Sequence, residues 1–513
     1  MKHIVLIVTI LVGLLFVDCS DSFLDQKNPN EMDTSNFWKT ADDLQKGIDA
    51  AYRPLRFNGA YGRWLHILYV QRSDEGYSTS PNPYFQAYSN FIIKSMNDDN
   101  SEAIFFTWLD IYKGIFWANQ VIDNSKSIPM DETLKKRIQG EAYFLRGLHY
   151  FNIAEVFGRG PLKLTSFTEN GKPVIAEQPE LLAQALKDFE TAIPLLPTNY
   201  TELTNIGRVT QGAARGMRIK VLMQQHQWQA SADECNALIN LKNTSGQIMY
   251  SLMPKYVDNF TQANENNAES IFEIQFATGL QNGLDVGCQR AKFMGIPVNG
   301  GAYADAFPRL SLYNEFLLEQ TASNQPDLRL KVTLAYYDPA NTTETFYGST
   351  WDQWKLDHKM VYWKKYTNYD IQTTEDLFNG INFRLIRLAD IYLLYAEALN
   401  ELGRTSESYT YIDKVRNRVG MPNLENSTVF TGIGNDHDKM KAQIIHERSC
   451  EMAGESTRWF DLERWGMLDN TAGISWLKTR DEDFNNFVIG VNNRFPIPYH
   501  EVALVPITQN PGY

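Results

Sequence analysis

RLIRLADIYLLYAEALNELGRTSESYTYIDKVRNRVGMP, residues 384–422, is the stretch on which the reading of the fold turns. Leu385, Leu388, Tyr392, Tyr395, Ala396, Leu399 and Leu402 recur at three- and four-residue steps. Side chains so spaced fall on one stripe of an α-helix. Gly403 ends that stripe, and a second amphipathic run, Tyr409, Ile412, Val415 and Val419, follows after a very short turn. It stops at Gly420 and Pro422, residues that break helices. The pair predicts an antiparallel helical hairpin. Its order of small and apolar residues (Ala396, Leu399, Gly403, Ser408, Ile412, Val415) approximates the tetratricopeptide pattern, in which each hairpin needs neighbours to bury its face.

Outward from the hairpin, further helices are expected. Thr34, Ser35 and Asn36 are candidate caps for a helix carrying Phe37, Leu44, Ile48 and Tyr52. Trp108 to Val121 and Glu141 to Phe157 are apolar on more than one side, hence deeply packed. Pro179 to Leu195, Thr210 to Gln224 and Ala230 to Leu241 follow, and a last long helix is expected from Asp438 to Gly466. Between about 270 and 380 the pattern changes. SIFEIQF, 270–276, alternates like a short strand, and the next hundred residues mix Gly, Pro, Asn and aromatics without sustained periodicity. The terminal TQNPGY, 508–513, holds Pro511 and Gly512 and reads as an extended tail that packs back on the fold.

The chain of 513 residues, 43% hydrophobic, is long enough for two closely joined subdomains. A net charge of −13, with no clustered Lys and Arg, argues against nucleic acid or anionic membrane surfaces as main partners. Met1, Lys2 and His3 precede an apolar run from Ile4 to Val17, shorter than the roughly 20 residues of a spanning helix, which is how a secretory signal looks. Cys19 follows, and the natural reading is a lipoprotein processed before Cys19 and lipidated on it. Asp18 departs from the small residues usual in that position. Cys235, Cys288 and Cys450 are far apart and read as small buried residues, without disulfide or zinc spacing.

Several stretches taken in order resemble the SusD/RagB family of bacterial outer-membrane nutrient-binding lipoproteins: CSDSFLDQ (19–26), WLDIYKGIFWAN (108–119), EAYFLRGLHYFNIAEVFGRGPL (141–162), ESIFEIQF (269–276), RLIRLADIYLLYAEALNELG (384–403), VRNRVGMP (415–422), IIHERSCEMAGESTRWFDLERWG (444–466) and FPIPYHEVALVPITQNPGY (495–513). The resemblance implies a mainly α fold of tetratricopeptide-like helical hairpins, an α/α superhelix, packed with a loop-rich subdomain containing a few short strands. It divides the chain into a signal peptide (1–18), a lipidated N-terminus and linker (19–35), a helical region (36–270) and a C-terminal region (271–513) that holds the loop-rich ligand-binding part and the returning hairpin. It also implies a surface-exposed lipoprotein of the outer membrane, partnered with a SusC-like TonB-dependent β-barrel transporter, that captures oligo- or polysaccharide, or peptides in some members. The acidic Ser20-Asp21 resembles a surface-export signal of these bacteria.

The chemistry-bearing candidates fit a binding protein without catalysis. Glu447, Glu451 and Glu455 stand four residues apart and could act as paired carboxylates on a glycosidic bond, but Arg448, Arg458 and Arg464 interleave with the acidic residues of this segment as helical ion pairs require. His446-Glu447 is not a zinc helix, because position 450 is cysteine. Asp327 and Arg329 read as an ion pair holding a loop. No GxSxG elbow, Walker loop or GxGxxG motif follows an evident strand, so no cofactor is called for, and only a structural calcium is left open. Sugar capture needs an exposed ring for the C–H face and nearby polar groups for hydroxyls. Two places offer both. In SDEGYSTSPNPYFQAYSN (73–90), Asp74, Tyr77, Tyr84 and Tyr88 are candidates. In GGAYADAFP (300–308) and YGSTWDQWKLDHK (347–359) they are Tyr303, Phe307, Trp351 and Trp354. Trp108, Trp117, Trp459 and Trp465 read as core. A peptide-capturing lipoprotein, a surface glycosidase and a structural tetratricopeptide adaptor are the rival readings.

Overall fold

The computed structural model describes residues 37–93, 102–167, 173–281, 284–298, 301–504 and 506–513. The leader, Cys19 and the candidate caps Thr34, Ser35 and Asn36 lie outside them. Among the described residues the chain forms seventeen α-helices and twelve short strands. The first half runs α1 (Ala41–Tyr52), α2 (Trp64–Gln71), β1 (Gly76–Tyr77), α3 (Pro83–Ser89), α4 (Glu102–Ser125), α5 (Glu132–Val156), β2 (Arg159–Pro161), β3 (Ile175–Glu177), α6 (Gln178–Ala192), α7 (Gln211–Gln224) and α8 (Trp228–Ile239). The cap of α1 is Thr40, six residues beyond the first expected candidate: its hydroxyl accepts from the Asp43 N–H at 3.2 Å while Asp43 accepts from the Thr40 N–H at 2.9 Å. The pairing satisfies two otherwise orphaned donors. Helices α4 and α5 extend up to nine residues beyond the expected spans and pack on each other, and α5 also packs on α6. α2 is buried along its whole length, so its sequence WLHILYVQ has no polar face to betray a period.

The second half opens with β4 (Ser270–Ile274), then β5 (Leu280–Gln281), β6 (Leu284–Asp285), α9 (Arg290–Met294), β7 (Phe307–Pro308), α10 (Leu310–Phe316), α11 (Leu328–Thr333), β8 (Leu334–Tyr336), β9 (Thr345–Phe346), β10 (Ser349–Thr350), β11 (Val361–Trp363) and β12 (Phe383–Arg387). It closes with α12 (Leu388–Glu401), α13 (Thr405–Arg418), α14 (His437–Met452), α15 (Arg458–Arg464), α16 (Thr471–Arg480) and α17 (Tyr499–Leu504). Every sheet among the described residues is an antiparallel pair: β1–β7, β2–β3, β4–β12, β5–β6, β8–β11 and β9–β10.

The hairpin of the opening stretch is α12 and α13, but it begins later than the periodicity predicts. Leu385 lies in strand β12, paired to β4, and the helix starts only at Leu388. The extended backbone lets Arg384 meet Glu273 at 3.1 Å and Arg387 meet Glu455 at 2.7 Å, with all four side chains buried. Ala389, Leu393, Ala396, Ile412 and Val415 close the hairpin against Met440 and Ile444 of α14. α12 also packs on α8, the neighbour that its stripe demanded. A second departure is the segment 438–466, which is two helices. The chain breaks at Gly454, whose φ of +71° is left-handed, and a Cβ there would come within 2.8 Å of the Trp363 ring.

One hydrophobic core runs from Leu44 to Ile507, joining helices of both halves, and a smaller aromatic core lies under the loops between 296 and 363. Cys235, Cys288 and Cys450 are buried, and none of them forms a disulfide among the described residues. The C-terminal segment holds α17 and then, as expected of TQNPGY, lies back on the fold without helix. The Asn510 amide donates to the carbonyls of Phe157 and Phe495, both at 2.7 Å. Among the described residues no helix is long and apolar enough to cross a membrane.

Candidate functional site

Strand pairing brings the first aromatic loop to the second. β1 pairs with β7 so that Tyr77 faces Phe307 across the ladder, their rings stacked at 5.4 Å. The Ser80 hydroxyl donates to the Asp305 carboxylate, a second tie between the same loops. From Phe307 the contacts continue to Tyr362 at 5.8 Å, to Trp351 at 5.8 Å and to Phe346 at 5.7 Å. Rings from three separate stretches thus share one cluster, with Tyr77 and Trp354 half-buried at its rim. The Trp354 indole donates to the Phe346 carbonyl at 2.6 Å, which fixes the ring's orientation. Arg309 lies over Tyr77 at 4.5 Å and pairs with Asp481 at 2.7 Å.

The candidate residues divide by exposure. Tyr303 is 55% exposed, braced edge-on against Phe293 at 5.3 Å with the Lys292 ammonium 5.1 Å from its ring. It belongs to a neighbouring group in which Phe293 stacks on Phe85. Trp351 is 3% exposed and Phe307 is also buried, so these two rings support the rim from below. Tyr88 is buried against Phe495, away from the cluster. Tyr84 lies in α3. Asp74 corrects the expectation of a sugar-binding carboxylate. It is fully buried, bound at 2.7 and 2.9 Å by Arg458 and at 2.6 Å by Arg480. Burial alone would raise its pKa, but the two guanidinium groups outweigh it and hold the carboxyl well below the usual range. Its oxygens are committed to arginines that reach it from α15 and α16.

Sequence reasoning missed the Tyr337–His358 pair, stacked face to face at 3.6 Å, with His358 held at 2.6 Å from Asp352. It also passed over Tyr362 and Tyr369. The run VYWKKYTNY, 361–369, was the available signal through its density of rings: Tyr362, in strand β11, and Tyr369, beyond it, both join the cluster. Non-glycine residues with left-handed backbone, Ala304, Tyr347 and Lys355, concentrate in these loops. Such strain persists where surrounding contacts over-determine the chain and gathers at binding sites.

The helix carboxylates are occupied elsewhere. Glu447 pairs with Arg329 at 2.5 Å and Arg416 at 3.1 Å; Glu451 with Arg387 at 2.5 Å and with Arg418; Glu455 with Lys365 at 3.0 Å and Arg387 at 2.7 Å. All are buried. Burial would raise Glu451, and the surrounding arginines outweigh it, so it is held ionised. Asp327 and Arg329 form the expected pair at 2.6 Å. Among the described residues no group of three or more His, Cys, Asp or Glu side chains is placed to hold a metal.

The comparisons with known proteins bear on the same fold. The profile of the SusD family matches residues 221–513, and a profile described as starch-binding, associating with outer membrane, matches residues 22–222. SusD-like protein P25 of Formosa agariphila is 26% identical, over 98% of this chain and 97% of its own. A SusD superfamily protein from Bacteroides vulgatus superposes with a TM-score of 0.79 at 25% identity, covering 93% of this chain and all of the other. A laminarin-binding SusD-like protein does so with a TM-score of 0.73 at 26% identity, with the same coverage. The helical hairpins, the paired strands beneath them and a family profile matched over more than half the sequence place this chain in the SusD family.

Proposed function

We propose that the protein is a surface-exposed, glycan-binding lipoprotein of the outer membrane, anchored through Cys19, that captures oligo- or polysaccharide and delivers it to a SusC-like TonB-dependent transporter. The observation that carries this reading is the convergence of rings from loops distant in sequence, with Tyr77 and Trp354 at the rim, Phe307 and Trp351 beneath, and the exposed Tyr303 in the neighbouring group. A half-exposed ring already held by its neighbours offers a flat apolar face to sugar C–H groups and loses little freedom on binding. Asp74 and Tyr88 act as framework, and Tyr84 is kept as a candidate contact. The laminarin-binding neighbour supports saccharide as the ligand class. The protein acts without catalysis in this reading, because a glycosidase needs two carboxyl groups open to substrate, and Glu447, Glu451 and Glu455 are closed off by cations.

Binding measured against a panel of saccharides and oligopeptides tests the proposal. At least one saccharide is expected to bind, and Tyr77→Ala and Trp351→Ala to weaken it. Oligopeptide binding alone would assign the peptide-capturing role instead. Saccharide turnover abolished by Glu451→Gln would make the protein a glycosidase, and co-purification with a transporter in the absence of any ligand would make it an adaptor. Cys19→Ala is expected to release the protein from the membrane fraction.

A further inference from the structure

Helix α4 carries an aromatic array that the loops do not use. Trp108, Tyr112 and Phe116 follow at four-residue steps, so they lie turn above turn on one face, and the first two rings are 4.8 Å apart. They line a cleft of about 230 Å³ whose other walls are the segment from β2 to Thr165 and helix α17. None of the loop residues proposed above lines it. The cleft is built. At Gly160 a Cβ would come within 2.3 Å of the Tyr112 hydroxyl and 3.3 Å of the Trp108 ring, so glycine lets the rings rest on the backbone of β2. Tyr112 donates to the Pro161 carbonyl at 3.1 Å. Asn119 donates to the carbonyls of Lys163 and Thr165 at 2.9 and 3.3 Å, and Tyr150 accepts from the Lys163 N–H at 2.8 Å, which pins the opposite bank.

Phe116 is nonetheless 46% exposed. Lys163, exposed, and Glu501, partly buried, both line the cleft, and neither is ion-paired among the described residues. We propose that this cleft is a second saccharide contact, taking one uncharged ring of a glycan chain against Tyr112 and Phe116, with Lys163 donating to one hydroxyl and Glu501 accepting from another. The inference rests on the reading of the ligand as a glycan. A lipid chain would desolvate both charges without pairing them, and a sugar acid would face the Glu501 carboxylate. The volume lies below the roughly 300–1,000 Å³ of sites for drug-sized ligands, which fits a single ring.

Titration calorimetry with laminarin, starch, xylan and their hexasaccharides, and with a mixture of oligopeptides, separates the possibilities. Four proteins are compared: wild type, a loop variant (Tyr303→Ala with Trp354→Ala), a cleft variant (Phe116→Ala with Glu501→Gln) and the combination. Phe116 is exposed and Glu501 only partly buried, so an unchanged thermal midpoint is expected of the cleft variant. It should bind polysaccharide about tenfold more weakly, equivalent to about 1.4 kcal/mol. Wild-type affinity in the cleft variant, with loss confined to the loop variant, overturns this inference and leaves the proposed function standing. Loss confined to the cleft variant supports the inference and overturns the loop site. Failure of the wild type to bind any saccharide overturns both, whereas a cleft variant that loses only oligopeptide binding overturns this inference alone.

Discussion

Asp74 and Glu75 are neighbours in sequence, both buried, and the environment treats them oppositely. Asp74 has two guanidinium partners, so Asp74→Ala would leave the buried Arg458 without its anion and the partly buried Arg480 with Glu315 alone. A loss of about 3–5 kcal/mol in urea unfolding is expected, the usual penalty for removing one member of a buried charge cluster; a loss under about 1 kcal/mol would show that the cluster is not what holds the first loop. Glu75 forms no ion pair among the described residues. Burial pushes its pKa up to about 7, against the opposing pull of Arg458 and the Gly454 N–H, which donates to it at 3.1 Å. A folded-state pKa above the unfolded value of 4.5 means that stability is fully present below pH 4.5 and is lost as pH rises through about 7. Glu75→Gln removes that dependence. The variant is expected to match wild type at pH 4 and to exceed it at pH 8 by about 3 kcal/mol in paired unfolding curves, since each pH unit between the unfolded and folded pKa values is worth about 1.4 kcal/mol.

At the scale of elements, the hairpin α12–α13 was legible because its stripe is long and periodic, and its closing glycines mark both ends. Gly403 and Gly420 have φ of +73° and +76°, where helices stop. The break inside 438–466 was not legible. MAGEST, 452–457, continues a plausible helical spacing around its single glycine, and the partners that hold the turn at Glu455, Lys365 and Arg387, are distant in sequence. Gly454→Ala is therefore expected to cost more than about 2 kcal/mol, combining left-handed strain with the clash against Trp363. Thermal unfolding would register it, and a variant as stable as wild type would mean that the turn tolerates a side chain. Leu385 teaches the same lesson: its spacing fits the helix, yet the ion pairs of Arg384 and Arg387 take the segment into a strand.

Across the whole molecule, charge is used inside as well as outside. Arg387 alone contacts Glu269, Glu451 and Glu455, binding β12 to α14 and to the turn after it. Arg387→Ala would leave three buried carboxylates undercompensated, and a severe loss, of about 5 kcal/mol or failure to accumulate as folded protein, is expected on expression and circular dichroism. The candidate site was legible only as loops rich in rings. Which rings face outward depends on pairings such as Tyr77 with Phe307 and Phe307 with Tyr362, between residues far apart in sequence. Trp351 and Trp354, three residues apart, therefore looked alike and are placed differently. The central claim is that the half-exposed rings bind saccharide while the buried ones hold them. Titration calorimetry of wild type and Trp354→Ala with the best-binding saccharide, alongside their thermal midpoints, tests it most directly. Binding weakened about tenfold at an unchanged midpoint is the predicted result; equal affinity in the two proteins would contradict it.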